Sequence, residues 1–149
     1  MRYLGLDLGS RTLGTAISDT TRTIASSLQT FRFEEDDYDS LIPIVNDLIC
    51  EYRVIKIVLG FPKNMNNSVG ERGQIALDFK RKIEKKIGIE VVMQDERLST
   101  VEATSYMLAA DISRQKRKKK VDSLAASIIL QTYLDKERKN ENDGRKNDI

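Results

Sequence analysis

The sequence predicts an α/β domain, a mixed five-stranded sheet flanked by helices. Residues 3–31 hold three strand-patterned segments joined by short connections, as in an antiparallel meander. From Tyr38 onward, helical periodicity alternates with short apolar runs, as in successive βαβ crossovers. At 149 residues, 40% hydrophobic and 32% charged, the chain can bury one real core but not build two substantial lobes.

In the first segment Leu4, Leu6 and Leu8 alternate with Gly5, Asp7 and Gly9, a strand with one apolar face. Gly9-Ser-Arg-Thr12 reads as a turn, and residues 13–19 as a second strand; residues 24–31 form a third. Tyr38, Leu41, Ile42, Val45, Leu48, Ile49 and Tyr52 then recur at the spacing of an amphipathic helix. Pro43 falls in its first turn, where proline is tolerated. Residues 54–59 are almost all β-branched or leucine, which predicts a strand covered on both faces. A turn-rich stretch from Gly60 precedes a second helix over 70–87, with Ile75, Phe79, Ile83 and Ile87 on one stripe. Residues 89–93 make the fifth strand. Ser99 and Glu102 match the S-x-x-E capping box, so a third helix should start at Ser99 and fade near Ala110. The basic stretch 114–120 is expected as a loop and residues 121–136 as a strongly apolar last helix. From Lys139 almost nothing is apolar, which predicts a disordered tail.

Composition excludes several chemistries. There is no histidine, which removes Ser-His-Asp and Cys-His machinery and His-ligated zinc. The single Cys50 allows neither an internal disulfide nor a structural zinc site. No apolar run could span a bilayer, and the N-terminus enters strand patterning at Tyr3 without a signal-like segment, so the cytoplasm is the expected location and no membrane partner is expected. The net charge of +2 gives no global basic field, but Glu34 to Asp39 is acidic while Arg114, Lys116, Arg117, Lys118, Lys119 and Lys120 form a basic run.

The remaining chemistry belongs to carboxylates. Asp7 sits mid-strand, where Asp is depleted, and Gly5 and Gly9 on its face suit close approach of a ligand backbone. The plain alternative is an Asp hydrogen-bonded in the following turn. Asp95-Glu96 directly follows the fifth strand, and the carboxyl ends of parallel strands line the crevice of open α/β sheets. Acids ahead of a helix also suit its dipole. Asp122 opens the last helix, where it would equally serve as an N-cap.

Together the three say more than each alone. With strand one central, strand four beside it and strand five next, Asp7 and Glu96 share one end of the sheet. Three carboxylates within about 4 Å repel by roughly 4 kcal/mol per pair at an effective dielectric of about 20. Such a cluster persists only if protonated or neutralised by cations. Oxygen-only ligands favour Mg²⁺ or Mn²⁺, and two such ions roughly 3.5–4 Å apart activate water and stabilise the leaving oxygen of a phosphodiester. The basic run lies just before Asp122 and would neutralise several phosphates; without interleaved aromatics it suits backbone contacts rather than base stacking.

Four blocks carry a family resemblance: Leu6-Asp7-Leu8-Gly9 with Gly14 downstream, Gly60-Phe61-Pro62-Lys63-Asn64-Met65, Asp95-Glu96-Arg97-Leu98-Ser99-Thr100 and Lys120-Val121-Asp122-Ser123-Leu124-Ala125-Ala126. Over residues 2–136 the chain resembles the YqgF family, also called RuvX, of Holliday junction resolvase-like or pre-16S rRNA nucleases. Phe61 stands where that family more often has Leu or Tyr, and Asn66-Asn67 where Asp-Gly is common.

The resemblance implies a ribonuclease H-like sheet of order 3-2-1-4-5 with strand 2 antiparallel, a nuclease domain over 1–138 and a polar tail over 139–149. It implies Asp7, Glu96 and Asp122 as metal-binding catalytic acids. Arg97 and the loop around Lys63 and Asn64 would border the substrate, with Ser10, Arg11 and the basic run as further contacts. The implied activity is 5′-end maturation of the small-subunit rRNA precursor in the bacterial cytoplasm, by a monomer or weak homodimer that meets ribosomal precursor particles. Cleavage of branched DNA is the alternative. A non-catalytic, transcription-associated nucleic-acid-binding protein on the same fold also remains open. A nucleotide-binding domain of the actin, Hsp70 and sugar-kinase type would share the Asp-Leu-Gly-Ser start, but needs a second lobe to close over its nucleotide.

Overall fold

The computed structural model describes residues 1–62, 70–95 and 114–147, with the side chains of the last helix described over residues 124–140. The elements are β1 (Arg2–Leu8), β2 (Thr12–Ser18), β3 (Ala25–Arg32), a 3₁₀ turn (Tyr38–Ser40), α1 (Leu41–Tyr52), β4 (Val54–Phe61), α2 (Glu71–Lys86), β5 (Glu90–Asp95) and α3 (Arg114–Asn147). The strands form one sheet in the order β3-β2-β1-β4-β5. β2 runs antiparallel to both neighbours, and β1, β4 and β5 run parallel, as the family pattern implied.

The alternation in β1 divides the core between the two faces of the sheet. Leu4, Leu6 and Leu8 pack with Leu41, Val45 and Leu48 of α1 and Phe79 and Ile83 of α2. Tyr3, on the other face, packs with Ala126, Ile129, Leu130 and Leu134 of α3. β4 serves both cores, with Ile57 and Leu59 in the first and Val58 in the second, which is why its sequence is nearly uniform in apolar residues. Pro43 is the third residue of α1 and costs no intrahelical hydrogen bond there. α2 is closed by Gly88, whose amide donates to the carbonyls of Ile83 and Glu84 at 3.3 and 3.1 Å, and whose φ of +81° turns the chain out of the helix toward β5.

The last helix departs from the sequence expectation. It begins at Arg114, so residues 114–120 are helical rather than a loop. Lys, Arg and Gln are good helix formers, and no Gly or Pro interrupts the stretch. Once residues 125–134 dock on the sheet, extending the helix in either direction carries no new nucleation cost. The same reasoning covers its C-terminal side, where α3 continues to Asn147 through the residues whose polarity predicts disorder. The helix expected from Ser99 lies outside the described residues.

Candidate active site

Asp7 is the next-to-last residue of β1, half-buried, at the carboxyl ends of the three parallel strands. Leu6 lies opposite Leu59, which sets Asp7 beside Gly60 of β4; on the other side Asp7 pairs directly with Gly14 of β2. Gly60 in turn pairs with Gln94 of β5. Partners in register share a face of the sheet, so neither strand flanking Asp7 presents a side chain beside it. The open space around Asp7 comes from these lateral neighbours.

The glycines along its own strand do something else. A Cβ on Gly5 would lie 2.8 Å from Leu130 Cβ and 3.0 Å from the Ala126 carbonyl oxygen, so Gly5 admits α3 to the sheet rather than a ligand. Gly9 belongs to the tight hairpin, its amide donating to the Thr12 carbonyl at 2.8 Å.

α3 crosses this face antiparallel to β1. Tyr3 Oη donates to Glu137 Oε1 at 2.9 Å, and Gly5 meets Leu130 and Ala126, so moving up β1 means moving toward the start of the helix. One further turn back along the 126, 130, 134 stripe is position 122. Asp122 lies eight residues inside α3 and does not cap it, which removes the capping explanation open at the sequence level. Asp95 is the last residue of β5, so the chain leaves the sheet at the edge Asp7 occupies immediately before Glu96. Glu96, Arg97, Lys63 and Asn64 lie outside the described residues. Among those described, no group of three or more Asp, Glu or Cys is placed to hold a metal ion.

Ser10 and Arg11 are exposed in the β1–β2 hairpin at the same end. Arg11 pairs with Glu35 at 3.2 Å, an exposed ion pair of little strength that a phosphate could exchange. Arg72, given no role by sequence patterning, donates from Nη2 to the Leu8 carbonyl at 3.0 Å. The signal that could have pointed to it is Pro62, which withholds an N–H where β4 would otherwise complete its ladder with β1.

A cluster of perturbed titrations lies at the opposite end of the sheet. Lys56 Nζ lies 5.0 Å from the Tyr3 ring centroid and 5.5 Å from that of Tyr133, donates to Tyr133 Oη at 3.2 Å, and pairs with Glu90 and Glu137 at 3.8 and 3.6 Å. Burial works to lower the Lys56 pKa, but Tyr133, Tyr3 and Glu90 outweigh it and hold the pKa above its ordinary value. Burial, reinforced by Glu137, raises Tyr3; burial likewise raises Tyr133 against the opposing pull of Lys56. These groups tie α3 to the amino ends of β1 and β4. They form a structural lock, remote from Asp7.

The T. thermophilus RuvC structure in complex with Holliday junction substrate matches with a TM-score of 0.55 at 14% identity, covering 87% of this chain and 91% of that one. The Fowlpox virus Holliday junction resolvase matches at 0.56 and 15% identity, over 91% and 99%. The fold is therefore that of the RuvC-like resolvases, a ribonuclease H-like class. A protein of Bacillus subtilis (strain 168) named "Putative pre-16S rRNA nuclease" is 48% identical over 135 residues, 91% of this chain and 98% of the relative. A Staphylococcus aureus (strain N315) protein of the same name is 50% identical over 135 residues, 90% and 95% of the two chains. The RuvX family model, described as Holliday junction resolvase, matches residues 1–136, and the chain belongs to that family. Among the described residues no helix is long and apolar enough to cross a membrane.

Proposed function

We propose that this chain is a divalent-metal-dependent nuclease that hydrolyses phosphodiester bonds in 5′-end maturation of pre-16S rRNA, in the cytoplasm. The observation that carries the site is the place of Asp7. It is a carboxylate at the carboxyl edge of three parallel strands, with glycines on both flanking strands, on the face crossed by the helix that contains Asp122. The names of relatives about half identical over nearly the whole chain support the activity and the RNA substrate.

Asp7, Glu96 and Asp122 are the proposed metal ligands and catalytic acids. Their oxygen-only donor set fits Mg²⁺ or Mn²⁺, as does the cleared space at Asp7. Such ions, when bound, would activate water and neutralise charge on the leaving oxygen. The chain's own contribution would be to carry Asp7 on β1 and Asp122 within α3, elements fixed by packing, so that little reorganisation accompanies reaction. Ser10, Arg11, Lys63, Asn64 and Arg97 are proposed to border the substrate. Arg114, Lys116, Arg117, Lys118, Lys119 and Lys120 lie on the part of α3 that precedes Asp122, extending about 12 Å along its axis. This basic segment would follow the nucleic-acid backbone away from the cut.

The test incubates the purified protein with precursor rRNA fragments and with four-way DNA junctions, each with Mg²⁺, with Mn²⁺ and with chelator. Metal-dependent cleavage of the RNA is expected, together with a loss of at least 100-fold in Asp7→Asn, on the order of one lost electrostatic catalytic contact. Cleavage that survives chelation or the Asp7→Asn substitution would sink the mechanism. Preference for the junction would favour the second reading, a resolvase of branched DNA, which the description of the family model supports. Binding of either without cleavage would favour the non-catalytic reading.

A further inference from the structure

Leu8 ends β1 with its carbonyl facing β4. The Gly9 amide bonds to Thr12 across the hairpin, so odd-numbered residues of β1 bond toward β2 and even-numbered ones toward β4. In a parallel ladder the Leu8 carbonyl would accept a hydrogen bond from the residue after its partner. Leu6 lies opposite Leu59, so Leu8 lies opposite Phe61 and the residue after that is Pro62, which has no N–H. The Arg72 guanidinium supplies the missing donor at 3.0 Å.

Arg72 is the second residue of α2, which packs on the face opposite the one that carries Asp7. One side chain therefore reaches around the end of the sheet and ties the residue after Asp7 to the start of a packed helix. The carbonyl it holds is also where the chain enters the Gly9-Ser10-Arg11 hairpin. Without it, the last residues of β1 would be held to β4 by one bond fewer at the point where a ligand has to be gripped.

We infer that Arg72 is a positioning residue for Asp7, replacing the ladder bond that Pro62 denies to the end of β1. The inference rests on the proposed metal site at Asp7. Residues that orient a metal ligand without touching the ion typically change affinity or rate by about 10–100-fold when removed. Arg72→Met keeps the apolar stem and loses the donor; Arg72→Lys keeps one donor.

The experiment measures Mn²⁺ affinity by electron paramagnetic resonance, kcat and KM on precursor RNA, and the carbonyl ¹³C shift of Leu8 in each variant. In Arg72→Met, Mn²⁺ affinity should weaken about 10–100-fold and kcat fall comparably, with KM within about threefold of the parent and the Leu8 resonance displaced. Arg72→Lys should recover most of all three. Arg72→Gln, too short to reach the carbonyl, substitutes if Arg72→Met does not fold. Unchanged affinity and kcat, a KM rise alone (a guanidinium that touches substrate), or no recovery with lysine overturns the inference. A parent protein that neither binds Mn²⁺ nor cleaves sinks the proposed function and this inference together. An active parent with an indifferent Arg72→Met sinks the inference only.

Discussion

Gly5 shows how much a single missing side chain settles. The core on the α3 face depends on the helix backbone coming close to β1, and the Ala126 carbonyl and Leu130 Cβ occupy the space that a side chain on Gly5 would need. Gly5→Ala should therefore destabilise by about 1–3 kcal/mol, as overpacking of a tight core does, although alanine is the better strand former. Urea unfolding should show the loss as a lower midpoint at unchanged slope; an unchanged midpoint would mean that the helix docks less closely than described. Asp19 is a second decisive residue. Its carboxylate accepts from Thr21 Oγ1 at 2.6 Å and from the amides of Thr23 and Ile24 at 2.7 and 3.2 Å, closing the β2–β3 hairpin. These bonds, the Thr21 hydroxyl first, lower its pKa to about 2. A folded-state pKa below the unfolded value near 3.9 stabilises at any pH above about 4, and that stabilisation is lost as the pH falls toward 2. Carboxyl ¹³C NMR should place its titration near 2, and a midpoint close to 4 would mean that the hairpin bonds are not kept in solution.

At the scale of elements, most of the architecture was legible because period and length agreed. The switch from alternation in β1 to helical spacing after Tyr38, then to the uniform run of β4, reports directly which faces are covered. The start of α3 differs from what its run of like charges suggests, a loop. Charge clustering speaks to solvation, whereas the propensities of Lys, Arg and Gln and a docked neighbouring segment govern helicity. The helical start of α3 bears on the candidate site. Asp122 moves from a helix start into a helix interior, and residues 114–120 become the helical turns that precede it. Lys118, Lys119 and Lys120 replaced together by Gln should weaken nucleic-acid binding. The slope of log K against log salt should flatten by about 2–3 if each contacts one phosphate, with the rate at saturating substrate nearly unchanged. Filter binding across salt concentrations measures this; an unaltered slope would remove the segment from the interface. The clearing around Asp7 was only half legible. Its cause, Gly14 and Gly60, lies on other strands, and cross-strand register is not written in local patterning.

At the scale of the molecule, the two ends of the sheet do different work. At the amino ends of the parallel strands, Lys56, Tyr3, Tyr133 and Glu137 bind α3 to β1 and β4 through a satisfied polar cluster. At the carboxyl ends, Asp7 of β1 is flanked by Gly14 and Gly60, and β5, two strands away, ends at Asp95. If Asp7, Glu96 and Asp122 form the proposed site there, their carboxylates would repel one another until a cation arrives, so stability and ligation should be linked. Mg²⁺ at about 100 times its Kd would stabilise the folded state by about 2.7 kcal/mol, a rise in Tm of roughly 5–10 °C for a domain of this size. Asp7→Asn should abolish that rise. Differential scanning calorimetry with Mg²⁺ and with EDTA, repeated with Ca²⁺ to separate site binding from general ionic effects, makes the comparison. If Mg²⁺ raises both proteins equally, the ion binds elsewhere and Asp7 is not its ligand.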